Sequence, residues 1–320
     1  MVARERVFCA SAPGLEGILA AELSSLGLSA RAVPGGAEAE GEGAAALACL
    51  GSRVAETVLV RLWDGPASAL GRARGEAERR LPGVDLLVRR GPPATVSADA
   101  AGAPMHRRGW RTRVGAAPLR ETVAAAMLRW AGWDGERPFL DPMCGTATLA
   151  IEAALAAARR APGLGRTFAF ERWPGHDVAR TAALRARLQA TARPVEVPIA
   201  ASDRNAGVLR LARKNAAAAG VEGAIAFERV DASAAAPPAG PGGQPARGLC
   251  AVNPPWGARL AEGAEDSWRA LSALLSRLAG WDLVVLAAGR GRETPLPLEP
   301  VDALEVRVGG IAARFLRYSP

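Results

Sequence analysis

From Ala117 onward the chain alternates short apolar segments with alanine-rich helical ones, and this alternation restricts the fold more than any other feature. Strands are predicted at Pro138–Leu140, Val197–Ala201, Ala224–Glu228, Gly248–Val252 and Leu283–Ala287. Helices are predicted at Thr148–Ala158, Asn205–Ala219 and Ser267–Leu278. A preceding helix places Leu119, Val123, Met127 and Trp130 on one face, with Pro118 at its first position. Strands separated by helices favour an α/β fold with a doubly wound, Rossmann-like parallel sheet. Ligands of such sheets bind at the carboxyl ends of the strands.

The first ~113 residues read differently, as a small α+β domain. Leu15, Ile18, Leu19, Leu23 and Leu26 recur at helical spacing, and Gly27 is a suitable stop. Leu47–Leu62 fits a helix or helix–strand pair, and Val84–Val88 and Ala94–Ala98 fit short strands. Pro34–Gly43 is expected to be a loop flanking a short strand, and Pro237–Arg247 a surface loop. The expected domains are therefore residues 1–113 and 114–320.

Of the 320 residues, 49% are hydrophobic and 22% charged, which supports a buried core. No run resembles a membrane span, and the N-terminus lacks a signal-peptide core, so a cytoplasmic protein without membrane partners is expected. Cys9, Cys49, Cys144 and Cys250 form no CxxC pair, and only His106 and His176 could join them. Neither a metal site nor a disulfide is expected. The formal charge is +8. Arginine in place of lysine suits a GC-rich coding sequence, but the net excess favours a polyanionic partner, of which nucleic acid is the commonest.

Four strand ends carry the candidate site. The first is Asp141-Pro142-Met143-Cys144-Gly145-Thr146-Ala147, a turn of small residues entering a helix. Such a turn lets backbone N–H groups approach a ligand, and its leading carboxylate suits an amine or hydroxyls rather than bare phosphate. It could equally be a tight strand–helix connection. The second is Asp203, suited to ribose hydroxyls or to capping the next helix. Its distance from Asp141 is about three times the ~20 residues of a minimal unit, so an insertion over roughly 159–196 is required. The third, Asp231 with Ala232, could accept from an adenine amino group. The fourth, Asn253-Pro254-Pro255-Trp256, is the most specific. Two prolines after a buried strand hold a rigid loop, in which the Asn253 amide oxygen and the Pro254 carbonyl can both accept from one –NH2 group. Trp256 offers a face for a planar base.

Outside the strand ends, His106-Arg107-Arg108-Gly109-Trp110-Arg111-Thr112-Arg113 packs four arginines and an indole into eight residues. Either Arg107, Arg108, Arg111 and Arg113 bind RNA phosphates, or the segment is a link with Trp110 buried in it.

In this order, these motifs resemble class I methyltransferases of the DPMCG…NPPY type. The nearest resemblance is to the bacterial guanine-N2 methyltransferases of large-subunit ribosomal RNA and their tRNA relatives, which carry a THUMP-containing N-terminal region. Ala10–Glu16, Met105–Arg111, Ala117–Thr122, Ala161–Leu164 and Phe170–Trp173 also resemble that family, and the last two fill the required insertion. The resemblance implies S-adenosylmethionine at Asp141–Ala147, Asp203 and Asp231–Ala232, and an acceptor amine at Asn253–Trp256. It implies an RNA substrate, ribosomal or transfer. Three departures stand out: Trp256 for tyrosine, Ala147 for glycine, and a short segment between Leu70 and Val84 that implies a reduced THUMP core. The same tetrapeptide type serves protein-glutamine and DNA-adenine methyltransferases. Ala147 also leaves open an RNA- or ribosome-binding protein with a decayed cofactor site.

Overall fold

In the computed structural model, residues 4–111, 119–240, 247–255, 261–288 and 296–320 are described, with only the backbone of 261–264. Trp256, Arg113, Pro118 and most of the Pro237–Arg247 segment lie outside these residues. The chain divides into two compact units, 1–108 with 161–191, and 109–160 with 192–320.

The first unit starts with β1 (Arg4–Ala10), α1 (Glu16–Ser25), β2 (Ser29–Val33), β3 (Gly36–Glu42), α2 (Ala44–Gly51) and β4 (Thr57–Gly65). It continues with α3 (Leu70–Arg80), β5 (Leu86–Arg89) and β6 (Ala94–Asp99). The sheet order is β2-β3-β1-β4-β6-β5. The segment expected to be loop at Pro34–Gly43 is mostly β3, joined to β2 by a tight turn at Pro34-Gly35. Its composition hides the strand, because Gly36 lies so close to β1 that a Cβ there would sit 2.0 Å from the Cys9 carbonyl oxygen. The carboxylate of Glu22 on α1 is buried and accepts from Arg53 N at 3.0 Å, Val54 N at 3.1 Å and Ser52 Oγ at 2.5 Å, fixing the loop that follows α2.

The insertion belongs to this unit, so the expected domain of 114–320 is interrupted. Gly163 N–H donates to the Leu50 carbonyl at 3.0 Å, and a Cβ at Gly163 would sit 2.6 Å from Leu50 Cα. The segment contains α6 (Val178–Gln189), and Arg185 on it donates to the carbonyls of Leu164 and Arg166 and to Glu171.

The second unit holds α4 (Glu121–Trp130), β7 (Phe139–Asp141), α5 (Thr148–Ala157), β8 (Ile199–Ser202), α7 (Ala206–Ala218), β9 (Ala226–Glu228), β10 (Leu249–Val252), α8 (Ala261–Leu274) and β11 (Asp282–Ala288). It ends with β12 (Asp302–Val308) and β13 (Ile311–Tyr318). The order β12-β13-β11-β10-β7-β8-β9, with β7 to β11 parallel and β13 antiparallel, bears out the doubly wound sheet. The strand order reverses between β7 and β10, which locates the ligand crevice. The α4 helix starts at Glu121.

Two charged clusters fix the frame of this unit. Asp282, at the start of β11, accepts from Arg137 at 3.1 Å and from Arg317 on β13 at 3.3 Å. Burial raises its carboxyl, but bonds from Arg137 and the charges of Arg317 and Arg137 outweigh this and hold it below its usual value. Arg111 donates to Glu121 at 2.8 Å, to the Leu119 carbonyl at 2.8 Å and to Thr148 Oγ1 at 3.0 Å, tying the starts of α4 and α5 together.

A depressed carboxyl stabilises the fold above its unfolded pKa, and that contribution is lost as pH falls through the folded value. Asp282→Asn should therefore cost about 1–3 kcal/mol near neutrality in denaturant unfolding, with a deficit that shrinks below about pH 4. Arg111→Gln should cost about 3–5 kcal/mol, because it leaves Glu121 buried and unpaired. By contrast, Arg107→Gln on the surface should stay within about 0.5 kcal/mol.

Candidate active site

The carboxyl ends of β7, β8, β9 and β10 meet around a cavity of about 550 Å3 within the second unit. Pro142, Met143 and Gly145 from the first motif line it, as do Asp203, Asp231, Ala232, Asn253, Pro254 and Pro255. Four motifs separated by up to about a hundred residues of sequence thus converge on one space, as the parallel register demands. A larger cavity, about 680 Å3, lies in the first unit and holds none of these motifs.

The turn after β7 is tied down on several sides. Cys144 N–H donates to the Ser202 carbonyl at 2.8 Å, Gly145 N–H to Asp203 Oδ2 at 3.0 Å, and the buried Asn215 amide to the Thr146 carbonyl at 3.3 Å. Asp203 Oδ1 accepts from Asn205 N at 2.8 Å. The cap of α7 is Asn205, which accepts from Gly207 N and Val208 N, so the capping alternative for Asp203 does not apply. Asp231 Oδ1 accepts from Ser233 N at 3.0 Å and Ser233 Oγ at 2.6 Å. These bonds, helped by the Arg204 charge, lower its carboxyl below the ordinary range.

Four expected cofactor residues are absent from the cavity lining. Asp141 is 1% exposed, and its Oδ1 has no hydrogen-bond partner among the described residues. Burial pushes its carboxyl well up, while backbone N–H groups of Met143 and Ala150 oppose the shift. As the last residue of β7 it supports the turn from beneath. Cys144 and Ala147 are buried, and Thr146 presents its carbonyl to Asn215. Ala147 is fully buried with φ +65°, so its methyl does not crowd the cavity.

The arginine-rich segment also departs from expectation. Arg108 is buried, donating to the Met105 carbonyl at 2.8 Å and to the Arg53 carbonyl. Arg111 makes the internal bonds given above and lies 5.4 Å from the ring of Trp110, itself 5% exposed. Donors held by buried acceptors cannot also grip phosphate, so the bonded donors of Arg108 and of Arg111 are committed inside the fold. Arg107 is exposed. His106–Arg113 therefore contributes at most Arg107 among the described arginines as a phosphate contact.

Sequence reasoning missed the far wall of the cavity. Val208 on α7, Ser267 and Ala270 on α8, and Val308 and Ile311 flanking the β12–β13 turn all line it. The hairpin had a signal: Leu304, Val306 and Val308 alternate with Glu305 and Arg307 before Gly309-Gly310, both at positive φ. The four cysteines are buried, and burial pushes their thiols up. Among the described residues no group of three or more His, Cys, Asp and Glu side chains could hold a metal ion.

Comparison with known proteins agrees with this geometry. Residues 6–59 match the RlmL ferredoxin-like domain. A ribosomal RNA large subunit methyltransferase K/L of Pseudoalteromonas atlantica is 39% identical over 204 residues, covering 61% of this chain and 28% of that protein. The chain thus spans under a third of that relative's length. Among solved structures, SMU.472, "a putative methyltransferase complexed with SAH", superimposes with a TM-score of 0.86 at 21% identity, covering 100% of this chain and 99% of the other. A Listeria monocytogenes protein, "a predicted N6-adenine-specific DNA methylase", gives 0.86 at 24% identity, covering 99% and 97%. At these identities the two structures establish the fold alone. Residues 108–289, more than half of the chain, match the RMKL-like methyltransferase domain, and to that family the chain belongs.

Proposed function

We propose that the chain is an S-adenosylmethionine-dependent RNA methyltransferase that modifies guanine N2 in large-subunit ribosomal RNA. The observation that carries this reading is the convergence of Gly145, Asp203, Asp231 and Asn253-Pro254-Pro255 on one cavity at the switch point of the sheet. The ribosomal RNA part draws on the name of the relative above. An enzyme with that substrate would act in the cytoplasm, and among the described residues no helix is long and apolar enough to cross a membrane. In this reading α3, β5 and β6 are the reduced THUMP core.

The lining fits the cofactor. A carboxylate offers about four acceptor sites. Asp203 uses one on each oxygen for Gly145 and Asn205, so it retains capacity for two ribose hydroxyls. Asp231, kept ionised, faces the same cavity and suits the adenine amino group. S-adenosylmethionine supplies a methyl group on a sulfonium sulfur that is a good leaving group. The protein's task is then chiefly placement. Asn253 Oδ1 and the Pro254 carbonyl would accept the two protons of the guanine amino group. These bonds favour a pyramidal nitrogen with its lone pair outward, and they stabilise the positive charge that grows on it. The target base must leave its stack to reach them.

Labelling total RNA, DNA and protein with a methyl-tritiated donor tests the reading. Label in ribosomal RNA as N2-methylguanine is expected; label confined to DNA or protein would overturn it. Asp203→Ala should weaken cofactor binding by about 2–3 kcal/mol, roughly 30- to 150-fold by calorimetry. Asn253→Ala should lower kcat by about 100- to 1,000-fold and leave cofactor affinity within about twofold, because its bonds tighten in the transition state.

A further inference from the structure

The cavity of about 680 Å3 in the first unit holds none of the four strand-end motifs and takes no part in the proposed reaction. Its walls come from α2, the ends of β1 and β3, and the insertion with α6. We propose that it binds a single nucleobase bearing an exocyclic amino group, taken from an unpaired nucleotide of the RNA. The proposal rests on the RNA reading above only for the source of the base.

Three features select that ligand. The floor is apolar, with Leu47 and Phe170 buried. Beside it stand two half-buried aromatic rings, Trp173 and His176, the latter edge-on to Phe170 at 5.4 Å. Flat apolar walls with accessible rings suit a planar base, since every base has a π-face.

Two carboxylates, Glu5 and Glu42, stand at the wall among groups that also include Arg180 and Thr181. Glu5 receives the Ala45 N–H at 3.0 Å, and Glu42 receives Arg180 at 2.6 Å. One bond apiece leaves most of the acceptor capacity of a carboxylate for a ligand's amino protons. Their charge also disfavours a phosphate inside the cavity. A purely apolar ligand would strip water from the half-buried Glu5 carboxylate without replacing it. A base with an amino group satisfies both demands.

The third feature is Arg187. On α6 it follows Arg180 and Leu184 along the face that lines the cavity, and it is exposed at the rim. The face is well anchored, because Asp177 caps α6 through Arg180 N at 2.9 Å and Arg185 ties the helix to the insertion. Arg187 can thus meet the phosphate attached to a base held inside.

The test uses the full chain and free mononucleotides, followed by ligand-observed NMR and calorimetry. Adenosine, guanosine or cytidine monophosphate should bind, and uridine monophosphate, which lacks the amino group, should bind about tenfold more weakly. Trp173→Leu should weaken binding about tenfold through lost stacking, with Arg187→Gln as a milder second variant. Neither change should alter cofactor binding, which also serves as the folding control. Asp203→Ala should leave nucleotide binding intact. Equal binding of uridine monophosphate, or unchanged affinity in both variants of the first unit, overturns the proposal. So does loss of binding in Asp203→Ala, which would place the nucleotide in the other cavity. Absence of mononucleotide binding alongside methyl transfer to RNA removes this site and leaves the proposed reaction standing.

Discussion

The site depends on one bond, from the Gly145 N–H to Asp203 Oδ2 at 3.0 Å. It joins the turn after β7 to the end of β8, two segments held side by side by parallel pairing of Asp141 with Ala201. Cys144 N–H to the Ser202 carbonyl repeats the link one residue earlier. Because Asp203 also lines the cavity, the group that positions the turn is the group offered to a ligand. Charge-assisted bonds of this kind are about twice as strong as neutral ones. The carboxylate therefore comes prepaid with its orientation, and a ligand need not order it.

Two residues beneath this turn carry strain. Ala147 adopts a left-handed conformation that costs an L-residue about 1–2 kcal/mol. Burial of its methyl offsets roughly 0.8 kcal/mol of this. Asp141 keeps in the interior an oxygen without a partner among the described residues. Both costs fall where α5 starts abruptly after β7, within the turn that Asp203 and the Ser202 carbonyl tie down. An alanine here departs from the family's glycine without entering the cavity, and the reading of a decayed cofactor site loses its main support.

Periodicity made the second unit legible because its five parallel strands are apolar and separated by helices. The last two strands lie beyond the strand–helix alternation, and only their own apolar–polar alternation and the Gly309-Gly310 turn mark them in the sequence. β3 escaped for a different reason: GAEAEGE has the composition of a loop, and only its pairing with β1 and β2 makes it a strand. The spacing between Asp141 and Asp203 announced an insertion, but its attachment to the first unit depends on a contact between Gly163 and Leu50, which are far apart in sequence. For the site, the strand-end motifs gave Asp203, Asp231 and Asn253, since position on the sheet fixes where they face. Asp141 falls outside the cavity lining because a strand's last side chain can point up to a ligand or down into the core, and sequence does not distinguish the two.

The arginines show why net charge is a weaker guide than it looks. Arg166 donates to the carbonyls of Ala103, Pro104 and Met105, Arg185 to those of Leu164 and Arg166, and Arg277 to those of Ser233 and Ala235. Arg160 donates to the carbonyls of Ala219 and Gly220 just past α7, and Arg193 to that of Ala157 at the end of α5. A guanidinium presents five donors in a planar fork and can close several loop carbonyls at once, which a lysine ammonium does less well. Much of the arginine content thus has a structural use that neither base composition nor nucleic-acid binding accounts for. These bonded charges still add to the field that draws a polyanion, because Coulomb forces do not require contact. Phosphate contacts that set register need exposed, uncommitted donors, and in the His106–Arg113 segment only Arg107 meets that condition among the described residues.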